Sequence, residues 1–502
     1  MYPSLAEAKH IAGTDEFRRI PVKREFFADR FTTIEVLRKL KSVSSHVFLF
    51  ESVEQNRSWS RWSFLGFSPS LELSCSDGTL RIRRRESEDS VVEETKQVDS
   101  PNEEIRRILA ENRAPRLKGF PPFCGGFVGY FAFEYLKYPE PRLSCLTELD
   151  AADDFKDVDL MLFDTVVAFD SYRQKIVLVG SVETDSMEQS YRDAEKRFDS
   201  IERLLSQKAG LEFPRLQLEE DLQPMFPCDR FHAMVGKAKE YIREGDIFQV
   251  VLSNPMKAKA HGSLLDVYRV LRTTNPSPYM FYFSSDDVEI AGASPETLLK
   301  LEDGKLHTYP LAGTRRRGTD EAEDRALEEE LLRDEKELAE HNMLVDLGRN
   351  DLGRISKIGT VQVEKYLCVE RFSHVMHIAS TVSSVIRDDK DSLDAVESIL
   401  PAGTLSGAPK IRACEIISEL EGTRRGIYGG AIGYLDVCGN ADTCISIRLA
   451  YLKNGTLCVQ SGAGIVADSV EENEYQECLN KAKAVVDAIS LAREGFDDLV
   501  DR

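Results

Sequence analysis

Two pairs of glutamates have the spacing that places both carboxylates of a pair on one helical face. Glu337 and Glu340 form the first pair, and Glu474 and Glu477 form the second. Carboxylate oxygens from two helices, with room left for water and a substrate oxygen, suit Mg²⁺. The same spacing is also typical of a solvated acidic helix face. The pairs therefore predict either a Mg²⁺ site or an acidic surface.

Two glycine-rich segments suit the binding of an anion by backbone amides. SGAGIV, residues 461–466, ends an expected strand, and LPAGTLSGAPK, residues 400–410, precedes a helical pattern. Glycine lets N–H groups approach a ligand because no Cβ stands in the way. A tight strand bend would also need glycine in the first segment.

Arg448 and two histidines complete the set of residues that could do chemistry. Arg448 lies in the apolar run CISIRLAYL, as either a charge on a sheet face or a bidentate clamp for a carboxylate. His374 and His377 would face opposite sides of a strand, so one of them can reach a cleft. These residues predict a Mg²⁺-assisted enzyme for a small substrate with several negative charges.

The elements that must position these residues are strands and helices in mixed runs. Strand patterns occur in VVLSNPM, YMFYF, CISIRLAYL and TLCVQSGAGIV, and long helical patterns in EAEDRALEEELLRDEKELAEHNMLVDLGR and ENEYQECLNKAKAVVDAISLAREG. Without βαβ alternation, they favour an α+β fold with large antiparallel sheets. Neither GxGxxG nor GxxxxGK[ST] follows a strand, so a nucleotide cofactor has no support.

An internal echo predicts that the chain is duplicated. GGFVGY at residues 125–130 matches GGAIGY at residues 429–434, and hairpin signals recur in SDGTLRI, EDGKLHT and KNGTLCV. A proline-containing segment near residues 205–228 suggests a boundary between an N-terminal domain, residues 1–215, and a catalytic domain, residues 225–495. The carboxylates and glycines place the chemistry in the second.

Composition narrows the class of protein and its compartment. The chain has 502 residues, with 86 acidic against 65 basic side chains, which argues against nucleic acid or an anionic membrane as a partner. Its 10 cysteines show neither a C-x-x-C pair nor zinc-type spacing, which is typical of a reduced cytoplasmic protein. We expect no signal peptide and no membrane span.

A dense series of motifs resembles the chorismate-utilising enzymes. From about residue 228 to 490 these motifs are GDIFQVVLSN, NPSPYMFY, GASPETLL, YPLAGTRRRG, DEKELAEHNMLVDLGRNDLGRI, FSHVMHI, LPAGTLSGAPK, GIYGGAIGY, DTCISIR, SGAGIVADS and ENEYQE. HVFLFESVE and RWSFLGFSP resemble the N-terminal domain of that family. The resemblance implies an α+β fold of large, orthogonally packed antiparallel sheets flanked by helices.

The resemblance also implies a role for individual residues. Glu340 and Glu477 would bind Mg²⁺, with Glu337 and Glu474 supporting through water. Glu296 would be the general acid for the departing C4 hydroxyl, His377 would serve pyruvate elimination, and Thr404 would lie beside them. The substrate would be held by Gly313, Thr314, Tyr428, Arg448, Gly462, Ala463, Gly464 and Lys481.

Two further positions distinguish reactions within this family. Ala312 stands where aminodeoxychorismate-forming members carry a nucleophilic lysine, and Gln249 stands where water-adding members carry a basic lysine. Both favour noncovalent amination of chorismate by ammonia, giving anthranilate and pyruvate. Ammonia would come from a separate glutamine amidotransferase subunit, in a heterotetramer of two large and two small subunits. Formation of aminodeoxychorismate, isochorismate or salicylate is the alternative.

A regulatory site for L-tryptophan is implied as well. The matching residues are Glu51, Ser52, Pro278, Tyr279, Met280, Tyr434, Asp442 and Cys444. Phe50 departs from the commoner leucine of this motif and would narrow the pocket. A buried strand would equally explain YMFYF. An alternative of another class is a non-catalytic tryptophan-binding regulatory protein, against which the retained Glu296, Glu340, His377 and Glu477 argue.

Overall fold

Two large antiparallel sheets carry helices on their outer faces. The computed structural model describes residues 1–13, 17–52, 61–85, 90–147, 155–207, 213–371 and 375–495. The first half contains α1 (Leu5–Ala12), β1 (Arg19–Phe27), α2 (Thr33–Lys41), β2 (Val47–Glu51), β3 (Trp62–Phe67), β4 (Leu71–Ser76), β5 (Thr79–Arg85), β6 (Val91–Gln97), α3 (Asn102–Glu111), β7 (Gly126–Phe131), β8 (Val158–Phe163), β9 (Thr165–Asp170), β10 (Lys175–Glu183) and α4 (Met187–Ser206).

The second half repeats the pattern with additions. It contains β11 (Gln217–Leu218), β12 (Gln223–Pro224), α5 (Cys228–Glu244), β13 (Gln249–His261), α6 (Leu265–Thr274), β14 (Tyr279–Ser284), β15 (Val288–Ser294), β16 (Thr297–Glu302), β17 (Lys305–Thr308), β18 (Leu311–Arg316), α7 (Glu321–Leu331), α8 (Glu335–Gly353), β19 (Gln362–Arg371), β20 (Val375–Val385), α9 (Ser392–Ile399), β21 (Gly407–Ala408), α10 (Lys410–Glu421), β22 (Ala431–Asp436), β23 (Ala441–Ile445), β24 (Leu449–Lys453), β25 (Thr456–Ile465) and α11 (Glu471–Glu494). Short 3₁₀ segments lie at Phe133–Lys137, Pro141–Thr147 and Gly403–Leu405.

The strand order of both sheets confirms the predicted duplication. One sheet reads β1-β10-β9-β3-β2-β14-β15-β24-β25-β13-β11, and the other reads β18-β20-β17-β16-β23-β22-β7-β8-β4-β5-β6. Each order mirrors itself about one central pair, β2 with β14 and β7 with β22. Corresponding strands of the two halves therefore occupy equivalent positions. Both sheets contain strands from both halves. The predicted boundary therefore lies between two sequence repeats that share the same two sheets.

The echoed hexapeptides lie at the centre of one sheet. Gly129 of β7 pairs directly with Gly433 of β22, and these glycines are the fifth residues of the two hexapeptides. A Cβ on Gly129 would lie 1.9 Å from the carbonyl oxygen of Asp159, so the neighbouring strand excludes a side chain there. The repeat in the sequence thus marks the seam where the two halves join.

The three predicted hairpin turns are present. Asp77–Gly78, Asp303–Gly304 and Asn454–Gly455 connect β4 to β5, β16 to β17 and β24 to β25. Both residues of each turn have positive φ, between 46° and 80°, as a type I′ turn requires. The first two hairpins occupy equivalent places in the two halves.

Three large apolar clusters make up most of the core of the described residues. Aromatic side chains fill the space between the sheets, among them Phe48, Phe163 and Phe283. A second cluster joins one sheet to α2, α4, α6 and α11, and a third joins the other sheet to α3, α5, α9 and α10. No helix in the described ranges is long and apolar enough to cross a membrane.

The strand expected at CISIRLAYL differs in the structure. The run CISIRLAYL is not one strand, because residues 446–448 separate β23 from β24 and carry the chain from one sheet to the other. Residues 208–212 of the expected linker, and His374, lie outside the described residues.

Candidate active site

A cavity of about 600 Å³ in the second half gathers most of the predicted substrate and metal residues. Its walls include Gln249, Glu296, Ala312, Glu340, Thr404, Tyr428, Arg448, Gly462, Gly464, Glu474, Glu477 and Lys481. These residues come from strands, loops and helices that are far apart in sequence. The two sheets and α8 and α11 bring them together.

Glu296 and Arg448 stand where the chain changes sheets. Glu296 lies between β15 and β16, and Arg448 lies between β23 and β24. Arg448 has φ +52°, a left-handed backbone that non-glycine residues adopt rarely and that is often associated with functional sites. At the equivalent crossing of the first half, GFSPS aligns with GASPE, so Ser70 occupies the position of Glu296. The first half therefore lacks this acid.

The carboxyl group of Glu296 has the properties of a proton donor. Burial raises its pKa, whereas a hydrogen bond from Thr404 and the charges of Lys481 and Arg448 lower it. Thr404 Oγ1 donates to Glu296 Oε2 at 3.0 Å, which fixes the orientation of the group. A buried acid with a raised pKa suits general acid catalysis.

Carboxylates of α8 and α11 face the same cavity. Desolvation, followed by the charge of Glu337, raises the pKa of Glu340, and Glu477 adds to this effect. Desolvation likewise raises the pKa of Glu474, again with a contribution from Glu477. An oxygen-rich set of mutually repelling carboxylates, open to the cavity, fits a hard divalent cation such as Mg²⁺.

Lys481 neutralises part of this negative charge. Its Nζ lies 2.6 Å from Glu477 Oε1 and donates to the carbonyl oxygen of Gly462 at 3.2 Å. Lys481 follows Glu477 by one helical turn on α11, so both reach the same side. The ammonium group thus joins the carboxylate cluster to the glycine segment.

The glycine segment presents one strand edge to the cavity. All of β25, residues 456–465, pairs with β13, whereas only residues 456–459 also pair with β24 on the other edge. A Cβ on Gly462 would lie 2.9 Å from the Tyr428 hydroxyl, and one on Gly464 would lie 2.7 Å from the Gln249 amide nitrogen. Glycine therefore keeps this wall open for a ligand.

Tyr428 and Arg448 form a further polar part of the cavity wall, next to Gly462 and Lys481. Burial raises the pKa of Tyr428, so its hydroxyl remains protonated. Burial lowers the pKa of Arg448, and the charges of Tyr428, Glu296 and Glu477 oppose that shift. Arg448 Nη1 also donates to the carbonyl of Lys481. A guanidinium held this way gains from an anionic ligand.

Five predicted site residues do not line this cavity: Gly313, Thr314, Glu337, His377 and Ala463. Ala463 is fully buried on the apolar side of β25. The pairing of β18 is interrupted by a bulge between Ala312 and Thr314, where Gly313 has φ +67°. Ala312 is left in the cavity wall.

His377 acts on the bulge of β18. Its Nδ1 lies 2.9 Å from the carbonyl oxygen of Gly313 and 3.1 Å from Thr314 Oγ1. Since a carbonyl oxygen can only accept, Nδ1 carries a proton. Burial lowers the pKa of this imidazole. The charge of Arg448 lowers this pKa further, and the charge of Glu337 raises it.

The arginines of YPLAGTRRRG bind acidic helix residues. Arg315 bonds to Glu330, Asp334 and Glu337, with distances of 2.9, 2.8 and 3.3 Å. Arg316 and Arg317 pair with Glu323 and Asp324 of α7. Asp334 also caps α8 by accepting from the amides of Lys336 and Glu337. These contacts fix β18 to α7 and to the start of α8.

Lys336 is a site residue that the sequence analysis missed. It lines the cavity, and its charge lowers the pKa of Glu340 and Glu474. Its position one helical turn before Glu340 could have indicated this, because residues four apart lie on one face of a helix.

A second cavity, of about 500 Å³, lies between the halves. All eight predicted tryptophan residues line it: Glu51, Ser52, Pro278, Tyr279, Met280, Tyr434, Asp442 and Cys444. Phe50 and Trp62 add aromatic walls. Tyr279 donates to Asp442 Oδ1 at 2.8 Å.

Ser52 and Glu51 differ in what they can offer a ligand there. Ser52 Oγ is buried without a hydrogen-bond partner among the residues that the structure describes. The Glu51 carboxylate instead accepts from Thr33 at 2.6 Å, Tyr268 at 2.7 Å and Arg272 at 2.8 Å. A ligand would therefore satisfy Ser52 first.

The fold and this site belong to a known class of enzyme. The chain is a member of the chorismate binding enzyme family, whose model matches residues 46–487. It is 44% identical to anthranilate synthase component 1 of Acetivibrio thermocellus, over 98% of this chain and 99% of the relative. It is 42% identical to the Pseudomonas aeruginosa protein of that name, over 96% and 98% of the two chains.

Solved structures agree with the fold. Anthranilate synthase component I from Streptococcus pneumoniae superposes with a TM-score of 0.75 at 37% identity, covering 85% of this chain and 92% of that one. A menaquinone-specific isochorismate synthase from Escherichia coli has a TM-score of 0.68 at 20% identity, covering 97% and 99%. The predicted α+β fold with large antiparallel sheets is therefore confirmed.

Proposed function

We propose that this chain is the large subunit of an anthranilate synthase. It would convert chorismate and ammonia to anthranilate and pyruvate, with Mg²⁺ bound by Glu340 and Glu477. The relatives named above support this assignment. Within the site, the observation that carries it is the pair Ala312 and Gln249, which both line the cavity.

Ala312 and Gln249 select the nucleophile. A lysine at position 312 would extend into the cavity and offer an amine for covalent attack, whereas the alanine methyl group offers none. The neutral amide of Gln249 cannot deprotonate water, which is a weak nucleophile without a base. Ammonia needs neither group. The cavity therefore favours direct amination.

The substrate carboxylates would meet the two polar walls. Gly462, Gly464 and Lys481 would hold the ring carboxylate near the metal, and Tyr428 and Arg448 would hold the enolpyruvyl carboxylate. Mg²⁺, when bound, would neutralise the ring carboxylate among the glutamates. Lys481, Arg448 and the metal-binding glutamates would together fix the ring in one orientation, which lowers the entropic cost of reaction.

Proton transfer would come from Glu296. Its buried carboxyl group would protonate the C4 hydroxyl as ammonia bonds to C2, so that water leaves and the aminated intermediate forms. Loss of the C2 proton and cleavage of the enolpyruvyl C–O bond then give anthranilate and pyruvate. His377 would support this second step indirectly, by holding the Gly313 bulge next to Ala312 of the cavity wall.

Ammonia would be supplied by a partner. We propose that a glutamine amidotransferase small subunit delivers it, in a cytoplasmic heterotetramer of two large and two small subunits. The component 1 designation of the relatives supports a second component. The isolated chain should accordingly use ammonium salt and fail to use glutamine.

L-Tryptophan would inhibit from the second cavity. Met280 and Tyr279 would pack on the indole, and the Ser52 hydroxyl would bond to the amino acid backbone. Asp442, with its carboxylate at the same wall, offers a partner for the ammonium group. Phe50 would limit the space beside the indole.

Product analysis tests the main assignment. The pure chain is incubated with chorismate, Mg²⁺ and ammonium salt, and products are separated by chromatography and identified by mass spectrometry. We expect anthranilate and pyruvate in equal amounts and no covalent enzyme adduct. Isochorismate, salicylate, aminodeoxychorismate or a trapped adduct would reject it, and so would absence of turnover in a folded protein.

A further inference from the structure

Three ligand-type side chains meet away from both cavities. Cys228 and His232 lie one turn apart at the start of α5, and Glu472 lies in the first turn of α11. Cys228 Sγ is 3.4 Å from His232 Nε2 and 3.7 Å from Glu472 Oε2, and the last two atoms are 3.3 Å apart. The three atoms thus form a nearly equilateral triangle.

This triangle has the dimensions of one face of a zinc tetrahedron. Zinc bonds of about 2.3 Å to sulfur and about 2.0–2.2 Å to nitrogen and oxygen give ligand–ligand edges of about 3.3–3.7 Å. The three observed separations fall within that range. A fourth position would be left for water, since the His232 and Glu472 side chains are 30% and 55% exposed.

Neighbouring groups hold the ligands in place. Gln476 Nε2 donates to Glu472 Oε1 at 2.9 Å, which leaves Oε2 directed at the other two residues. The ring of Tyr475 stands perpendicular to the His232 ring, with centroids 6.3 Å apart. Such outer contacts orient metal ligands and raise affinity.

Two other groups of possible metal ligands are already engaged in contacts within the protein. Asp436 accepts the backbone amides of Cys124 and Cys438, so its oxygens are already used. His46, Glu72 and Asp286 surround Arg83, which ion-pairs with both carboxylates. In both groups the carboxylates thus already have partners within the protein.

We propose that Cys228, His232 and Glu472 bind a Zn²⁺ ion. Thiolate, imidazole and carboxylate together form a donor set that zinc accepts and Mg²⁺ does not. The ion would fasten the start of α5 to the start of α11. Glu474 and Glu477 lie about 200° and 140° further round α11, so the zinc site faces away from the active-site carboxylates. Sequence spacing gave no zinc signature because the third ligand is remote in the chain.

Cobalt spectroscopy tests the donor set. Co²⁺ is titrated into the metal-free full-length protein, and the thiolate-to-metal charge-transfer band and the visible bands of a tetrahedral site are recorded. We expect both with one equivalent bound, loss of the charge-transfer band in Cys228→Ser, and retention in Cys368→Ser, which removes an exposed thiol elsewhere. Retention of the band in Cys228→Ser, or no band in the wild type, would overturn the proposal.

Zinc affinity separates this site from the active site. In competition with a chromophoric chelator, His232→Ala and Glu472→Gln should weaken binding by about 100-fold or more, and Gln476→Ala by about tenfold. Glu340→Gln should leave the high-affinity site unchanged. Glu472→Gln changes an exposed side chain, so its result does not depend on tolerance of a core substitution. Equal zinc affinity across these variants would refute the assignment.

Discussion

Glu296 and Thr404 show how a single hydrogen bond adjusts the active-site acid. Burial raises the pKa of Glu296 and the Thr404 hydroxyl lowers it. If Glu296 donates a proton, turnover falls as pH rises through that pKa. Replacing Thr404 with valine removes the lowering contact, so the alkaline limb of kcat should move to higher pH, and serine should restore it. An unchanged limb would show that Glu296 is not the titrating acid.

Glu296→Gln gives the matching loss of function. The amide cannot donate a proton to the leaving hydroxyl, so ammonia-dependent turnover should fall by about 10²–10⁴-fold. Anthranilate fluorescence at several pH values measures it. Glu321→Gln, on the exposed face of α7, is the control. Comparable rates in the two variants would contradict the role of Glu296.

Glu340 is a third single residue with a testable role, as a proposed ligand of Mg²⁺. Glu340→Gln removes one carboxylate from a cavity wall that also holds Glu474 and Glu477. We expect turnover to fall by about a hundredfold or more, on the order seen when a key electrostatic group is lost. Calorimetric titration with Mg²⁺ should show weaker binding in this variant. Near-normal turnover and Mg²⁺ affinity would remove Glu340 from the metal site.

At the scale of elements, the two halves depend on their central strand pairs. A Cβ on Gly129 would lie 1.9 Å from the Asp159 carbonyl oxygen, and one on Gly433 would lie 2.1 Å from that of Asp442. Gly129→Ala and Gly433→Ala should each destabilise the protein by about 1–3 kcal/mol or more, since backbone must move. Thermal unfolding followed by circular dichroism measures the shift.

Gly236 in α5 provides a control for the glycine substitutions in β7 and β22. It lies inside α5, and a Cβ there would meet no atom within 4 Å. Gly236→Ala should leave stability unchanged or raise it by up to about 1 kcal/mol, because alanine is the better helix former. If all three variants unfold at the same temperature, β7 and β22 do not form the sensitive seam.

On the scale of the whole molecule, short stretches of chain connect the two cavities. Asp442 and Cys444 of β23 line the proposed tryptophan cavity, and Ile447 and Arg448 just beyond line the catalytic one. For inhibition, tryptophan must bind an inactive state more tightly than the active state. By reciprocity, chorismate should then weaken tryptophan binding.

Calorimetry with and without saturating chorismate measures this coupling. Ser52→Ala should weaken tryptophan binding about tenfold, because the ligand group that would bond to the Ser52 hydroxyl loses its partner. Ser200→Ala, on the exposed face of α4, should bind as the wild type does. Absence of binding at millimolar tryptophan, or the same affinity in both titrations, would exclude regulation from this cavity.

Local sequence signals determined much of this structure. Asp-Gly and Asn-Gly between alternating residues specified the type I′ hairpins, since few other residues tolerate two positive φ angles in succession. The i, i+3 glutamates specified one helical face, because helix geometry is fixed by local hydrogen bonds. The repeated hexapeptide indicated duplication, and the family motifs identified many of the residues that line both cavities.

Tertiary structure alone decided what each residue faces. At the bulge between Ala312 and Thr314, Ala312 lines the cavity whereas Gly313 and His377 lie outside it, and the break at 446–448 converts an expected strand into a crossing between sheets. Lys336 enters the cavity because α8 is docked by Asp334 and by the His341–Ser380 contact of 2.7 Å. Cys228 and Glu472, separated by 244 positions, meet only because α5 packs on α11. Such pairings depend on packing between distant elements, which local patterns do not specify.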